Sequence, residues 1–154
     1  MKRLISVSMI GVLSCVAWAS AVAQTTAING HINGIESCFQ FLCGYAEFVG
    51  TFTGKVNGSD TTGVFRARVT HGDLVETNQG VTTVDQGGEW ALILPNTVIK
   101  GTVGAGGTLK FHQNNTFAVD LPLLIEGSSS TATFDGTLNH NVLPPTATGR
   151  LRSK

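Results

Sequence analysis

The sequence predicts an all-β fold, a small antiparallel β-barrel of about eight to ten strands with a β-sandwich as the alternative. Three observations predict it. Turn signals recur about every ten residues, at Asn57-Gly58, His71-Gly72, Gly87-Gly88, Gly106-Gly107, Asn114-Asn115 and Gly127-Ser128. Between them, apolar and polar residues alternate with the period of a strand that buries one face. Beyond the first two dozen residues, no segment carries the 3.6-residue period of an amphipathic helix.

The N-terminus reads as an export signal. Lys2 and Arg3 form a positive start, an apolar run follows from Leu4 to about Ala19, and Ala21-Val22-Ala23 fits a small-x-small cleavage site. Residues 1–23 are therefore expected to be removed after Ala23, leaving 24–154 as a single all-β domain in a periplasmic or secreted protein. Val12-Leu13-Ser14-Cys15 loosely resembles a lipoprotein box, so lipidation at Cys15 is the competing reading. Once Lys2 and Arg3 leave, eight basic residues face ten acidic ones, a net charge of −2. That balance argues against nucleic acid and against an anionic membrane surface as partners, and no membrane span is expected in the mature form.

The expected strands are 26–35, 44–57, 62–71, 74–84, 89–94, 97–104, 107–113, 116–124, 131–140 and 146–152. The first leads into "CFQFLC", where Cys38 and Cys43 are the two cysteines left after cleavage. An even count in an exported chain reads as one disulfide, here a local staple worth about 2 kcal/mol for so short a loop. The second strand sorts Ala46, Phe48, Gly50, Phe52, Gly54 and Val56 to one face, and Tyr45, Glu47, Val49, Thr51, Thr53 and Lys55 to the other. The third places Phe65, Ala67, Val69 and His71 together. The ninth places Ala132, Phe134, Gly136, Leu138 and His140 together. Pro122 suggests an edge or a strand end, because proline cannot donate to a ladder.

Three strands share the pattern apolar-x-Gly-Thr-apolar: Phe48 to Phe52, Ile99 to Val103, and Phe134 to Leu138. Each glycine shares a face with its two apolar neighbours. Glycine weakens a strand, so its repeated use on the inward face points to sharp curvature or close approach of neighbouring backbone, as a narrow barrel requires.

No catalytic motif is present: no Gly-x-Ser-x-Gly, no His-Glu-x-x-His, no phosphate loop and no dinucleotide fingerprint. No cofactor, metal ligand set or catalytic group is assigned. The candidate ligand rim is His71, Trp90 and His140. The two histidines continue the inward faces of their strands, and an odd number of intervening strands would bring both to one mouth. Their plainer reading is hydrogen bonding to loops, and that of Trp90 is packing. The acids Asp73, Glu76, Asp85 and Glu89 are expected in or near turns, solvated. The leading functional expectation is a non-enzymatic exported module that binds a small ligand or an envelope or extracellular partner at one barrel mouth. A small barrel enzyme using rim His, Asp and Glu is the first alternative. A structural subunit of an extracellular assembly, joined through a long free edge strand, is the second.

Overall fold

The computed structural model describes residues 25–39, 44–73, 75–77, 80–112 and 114–154. The expected signal peptide, the cleavage after Ala23, Cys15 and Cys43 lie outside the described residues, so the pairing of Cys43 with Cys38 stays an expectation.

Among the described residues ten strands form: β1 Ile28–Phe39, β2 Tyr45–Val56, β3 Ser59–His71, β4 Val75–Thr77, β5 Gly80–Leu94, β6 Thr97–Val103, β7 Thr108–His112, β8 Thr116–Ile125, β9 Thr131–Asn139 and β10 Thr146–Ser153. All pairings are antiparallel, chain neighbours pair except β3 with β4 and β6 with β7, and β1 pairs with β10 from Asn29↔Arg152 to Ile35↔Thr146. The result is a closed up-and-down β-barrel. It has eight staves because two strands are each continued by a short neighbour. β6 and β7 run the same way along β5 and β8, and together make one stave broken at 104–107. β4 continues the line of β3 along β5. The two strands expected at 74–84 and 89–94 resolve into a short β4 and a long β5 that runs on through Gly87-Gly88.

The inward faces are those the alternation assigns. Ile28, Ile32, Ala46, Phe48, Phe52, Phe65, Ala67, Val69, Leu121, Phe134, Leu138 and Leu151 are buried in one continuous core. Phe65 stands between Trp90 and Phe134, with ring centroids 6.3 and 5.8 Å away. An eight-stranded barrel is just wide enough for side chains to fill, and here they fill it.

The paired glycines set the curvature of this wall. Gly34 faces Gly50 across β1–β2, and Gly136 faces Gly149 across β9–β10. A Cβ on Gly50 would fall 2.9 Å from the Cα of Gly34, and one on Gly136 would fall 3.0 Å from the Cα of Gly149. At both places the backbones approach too closely for side chains. The Phe134 ring takes the vacated space, within 2.9 Å of where the Gly136 Cβ would stand. This aromatic cover of inward glycine lets a strand coil without leaving a void.

Pro122 marks neither an edge nor an end. It lies inside β8, which pairs with β7 as far as Asp120 and with β6 from Leu123. Proline therefore sits opposite the break between those strands, where a ladder donor is dispensable, and its carbonyl accepts from Gly104 N–H at 2.7 Å.

Candidate functional site

One end of the barrel carries buried ionisable side chains. β1, β3 and β9 run in the same direction, so Glu36, His71 and His140 come to the same mouth. β5 runs the other way, and its N-terminal part brings Thr83 and Asp85 there. The expectation that His71 and His140 share a mouth thus agrees with the strand directions. Trp90 does not join them. It is 3% exposed within the core, and its indole N–H donates to the Leu124 carbonyl at 2.9 Å.

Two carboxylate–imidazole pairs occupy this mouth. His71 Nδ1 lies 2.7 Å from Asp85 Oδ1. His140 Nε2 lies 2.7 Å from Glu36 Oε2. Each contact is a hydrogen bond between a ring nitrogen and a carboxylate oxygen. Glu36 and Asp85 are each 1% exposed, and the His71 side chain is nearly as deep. The His140 side chain, 24% exposed, is the member of the quartet that reaches solvent. Its ring packs on Phe117 with centroids 4.9 Å apart. Its backbone is held by exchange with Asn115, through His140 N–H to the Asn115 carbonyl and Asn115 Nδ2–H to the His140 carbonyl.

Asp85 owes its position to an irregularity. Register along β3–β5 shifts between Thr70↔Gly87 and His71↔Asp85, so one residue of β5 is extra. Trp90 and Leu92 point inward at even numbers, yet Thr83 and Asp85 also point inward, while Val84 is half exposed. The bulge reverses the parity of the strand, as bulges near functional sites do when they re-aim a side chain. Gly87 and Gly88 accommodate it, with φ of 133° and 153°. The expectation that Asp85 is a solvated turn acid is therefore corrected: it is a buried strand residue. Asp73, Glu76 and Glu89 are exposed, and Glu89 pairs with Arg68 at 3.0 Å on the outer wall.

Glu36 was not among the expected candidates, because the first strand was expected to end at residue 35. Its signal was present in the numbering: Ile28, Gly30, Ile32 and Gly34 lead to Glu36 on the same inward face.

Three buried atoms at this mouth have no hydrogen-bond partner: Glu36 Oε1, Asp85 Oδ2 and His71 Nε2. A buried polar atom left unsatisfied costs about 1–3 kcal/mol, so three at one end mark a place where stability is not the only requirement. Among the described residues, no group of three or more His, Cys, Asp or Glu is placed to hold a metal ion.

A second feature lies outside the wall. A groove of about 640 Å³ crosses β3, β5, β6 and β8 around Ile93 and Leu124. Its cations are already paired: Arg66 with Glu47 at 2.6 Å, Arg68 with Glu89 at 3.0 Å and Lys100 with Glu126 at 3.1 Å. The hydrogen bond from Arg66, reinforced by Arg68, holds the Glu47 carboxyl below its ordinary range. Unlike the mouth, the groove presents, among the described residues, no buried side-chain nitrogen or oxygen that lacks a partner.

The class defined by this geometry is a closed eight-stranded antiparallel barrel with a filled interior and a mouth that carries ionisable side chains. No protein family, curated protein or solved structure matches the chain.

Proposed function

We propose that this chain is an exported, non-enzymatic barrel module that binds a small ligand, or a small group on an envelope or extracellular partner, at the mouth where β1, β3 and β9 end. The observation that carries this reading is the pair of buried carboxylate–imidazole contacts at that mouth, with Glu36 Oε1, Asp85 Oδ2 and His71 Nε2 unpartnered. Buried polar atoms left without partners at one end of a small barrel are groups that a ligand could satisfy. The N-terminal sequence supports export. The wall, apolar inside and largely Thr, Asn, Lys, Arg and Glu outside, supports an aqueous setting, since barrels embedded in lipid carry the opposite arrangement. Closure of β1 on β10 removes the long free edge that a strand-donating subunit would use.

The test has two parts. The full chain is expressed with its leader in a secreting host, and the exported product is analysed by mass spectrometry. It is expected to begin at Gln24 and to hold Cys38 bonded to Cys43; retention of the unprocessed chain in the cytosol would overturn the export reading. The product is then screened against a small-molecule library by NMR. Binders are expected to move the imidazole resonances of His71 and His140 and to leave the Asn57-Gly58 turn, at the opposite end, unmoved. Binders that map to the wall around Ile93 and Leu124 would place the site in the groove and overturn the assignment to the mouth.

A further inference from the structure

Two of the three unpartnered atoms at the mouth share one chemical character. Glu36 Oε1 and Asp85 Oδ2 are carboxylate oxygens, and each carboxylate already makes one hydrogen bond through its other oxygen. His71 Nδ1 lies 2.7 Å from Asp85 Oδ1, and Nε2 of the same ring is the third unpartnered atom. The two carboxylate oxygens call for a donor. Of the polar groups nearby, the Thr83 hydroxyl donates to the Gly72 carbonyl at 2.7 Å, and one hydrogen of the Asn115 amide goes to the His140 carbonyl at 3.2 Å. Two carboxylates thus stand at the edge of an apolar core, each with one oxygen that meets no donor. Hydrogen bonds to ionised acceptors are the strong ones, and they strengthen further where water is excluded.

From this, and resting on the reading of the mouth as a ligand site, we infer that the ligand presents a small cationic N–H donor, an ammonium or a guanidinium group. Either group supplies several hydrogens at once together with a positive charge. A carboxylate or phosphate ligand would bring further acceptors to oxygens that need donors. A neutral hydroxyl would supply one hydrogen and no charge. The His140 side chain, 24% exposed and bonded to Glu36 Oε2, is the part of this mouth that meets solvent, so the approach we infer is from its side.

Four isosteric probes separate the possibilities: n-butylammonium, n-butylguanidinium, butyrate and 1-butanol, each titrated into the mature protein and followed by NMR. The two cations are expected to bind at least tenfold more tightly than butyrate or butanol, with shifts centred on His71 and His140. Glu36→Gln and Asp85→Asn are each expected to weaken the cations tenfold or more. Glu47→Gln, on the outer wall, leaves their affinity unchanged. The comparison of the four probes on the unaltered protein stands even if a variant fails to fold. Tighter binding of butyrate or butanol at the same mouth would overturn the cationic assignment and leave the mouth as a ligand site. Cation binding unaffected by both substitutions would also overturn it. If none of the four probes and no member of the wider library moves the mouth resonances, the ligand-site reading itself falls, and this inference falls with it.

Discussion

Gly50 and Thr51 are adjacent, yet the barrel treats them oppositely. Gly50 faces the interior, where a Cβ would fall 2.9 Å from Gly34 Cα, Asn33 O and Ile32 Cγ2. Thr51 faces water. Gly136 and Thr137 repeat the arrangement on β9, with Phe134 and Gly149 closing on the glycine. Gly50→Val and Gly136→Val are therefore each expected to lower stability by about 1–3 kcal/mol through overpacking, although valine is the better strand former. Thr51→Val and Thr137→Val are expected to stay within about 0.5 kcal/mol of the parent. Urea unfolding of the four variants checks this. Neutral glycine variants alongside unfolded threonine variants would mean that the interior is the threonine face.

At the scale of the strands, two features depend on register. The first is the bulge in β5, which turns Asp85 inward and sets it against His71. The second is an ionic row across β2, β3 and β5, where Glu47 is opposite Arg68 and Arg68 is opposite Glu89. Glu47 accepts from both Arg66 and Arg68, and its carboxyl is held below the usual range chiefly by the Arg66 hydrogen bond. A carboxylate whose folded pKa is depressed contributes stability above its unfolded pKa, near 4.5, and loses that contribution as pH falls through the folded value. Partly exposed pairs of this kind are worth about 0.2–1 kcal/mol. Glu47→Gln should thus lower stability by about that amount at pH 7, with the difference shrinking below pH 4 and in 1 M salt. Urea midpoints measured at both pH values test the sign: a difference that grew on acidification would show that Glu47 is not held ionised by the arginines.

At the scale of the whole molecule, closure is the decisive contact. β10 pairs with β1 and β9 at once, and buries Ala147 and Leu151. Removing residues 146–154 would leave two unpaired edges on a curved sheet and expose the core between them. The truncated chain is expected to lose cooperative thermal unfolding and to associate at micromolar concentration, seen by calorimetry and size-exclusion chromatography. A monomer with the parent melting temperature would show that the barrel does not depend on its closing strand. Closure also joins residues more than a hundred apart in sequence, as in Asn29↔Arg152, so folding should be slow for a chain of this size.

The alternation of side chains determined the all-β class, the inward faces of β2, β3 and β9, and the place of the glycines among core residues, because a strand's two-residue period is local. It also carried the shared mouth of His71 and His140, since in an up-and-down barrel the direction of each strand follows from counting. It did not reach the acids. Asp85 follows the wrong parity for its strand, and only the bulge against β3 turns it inward. Glu36 keeps the right parity but lies beyond the expected end of β1, where pairing with Phe48 on β2 extends the strand. The pairing of each acid with a particular histidine, Trp90's place in the core and the position of Pro122 opposite a broken stave all depend on neighbours distant in the chain. Local periodicity specifies a face. Which residues meet across the barrel is set by register and closure, and those are properties of the assembled sheet.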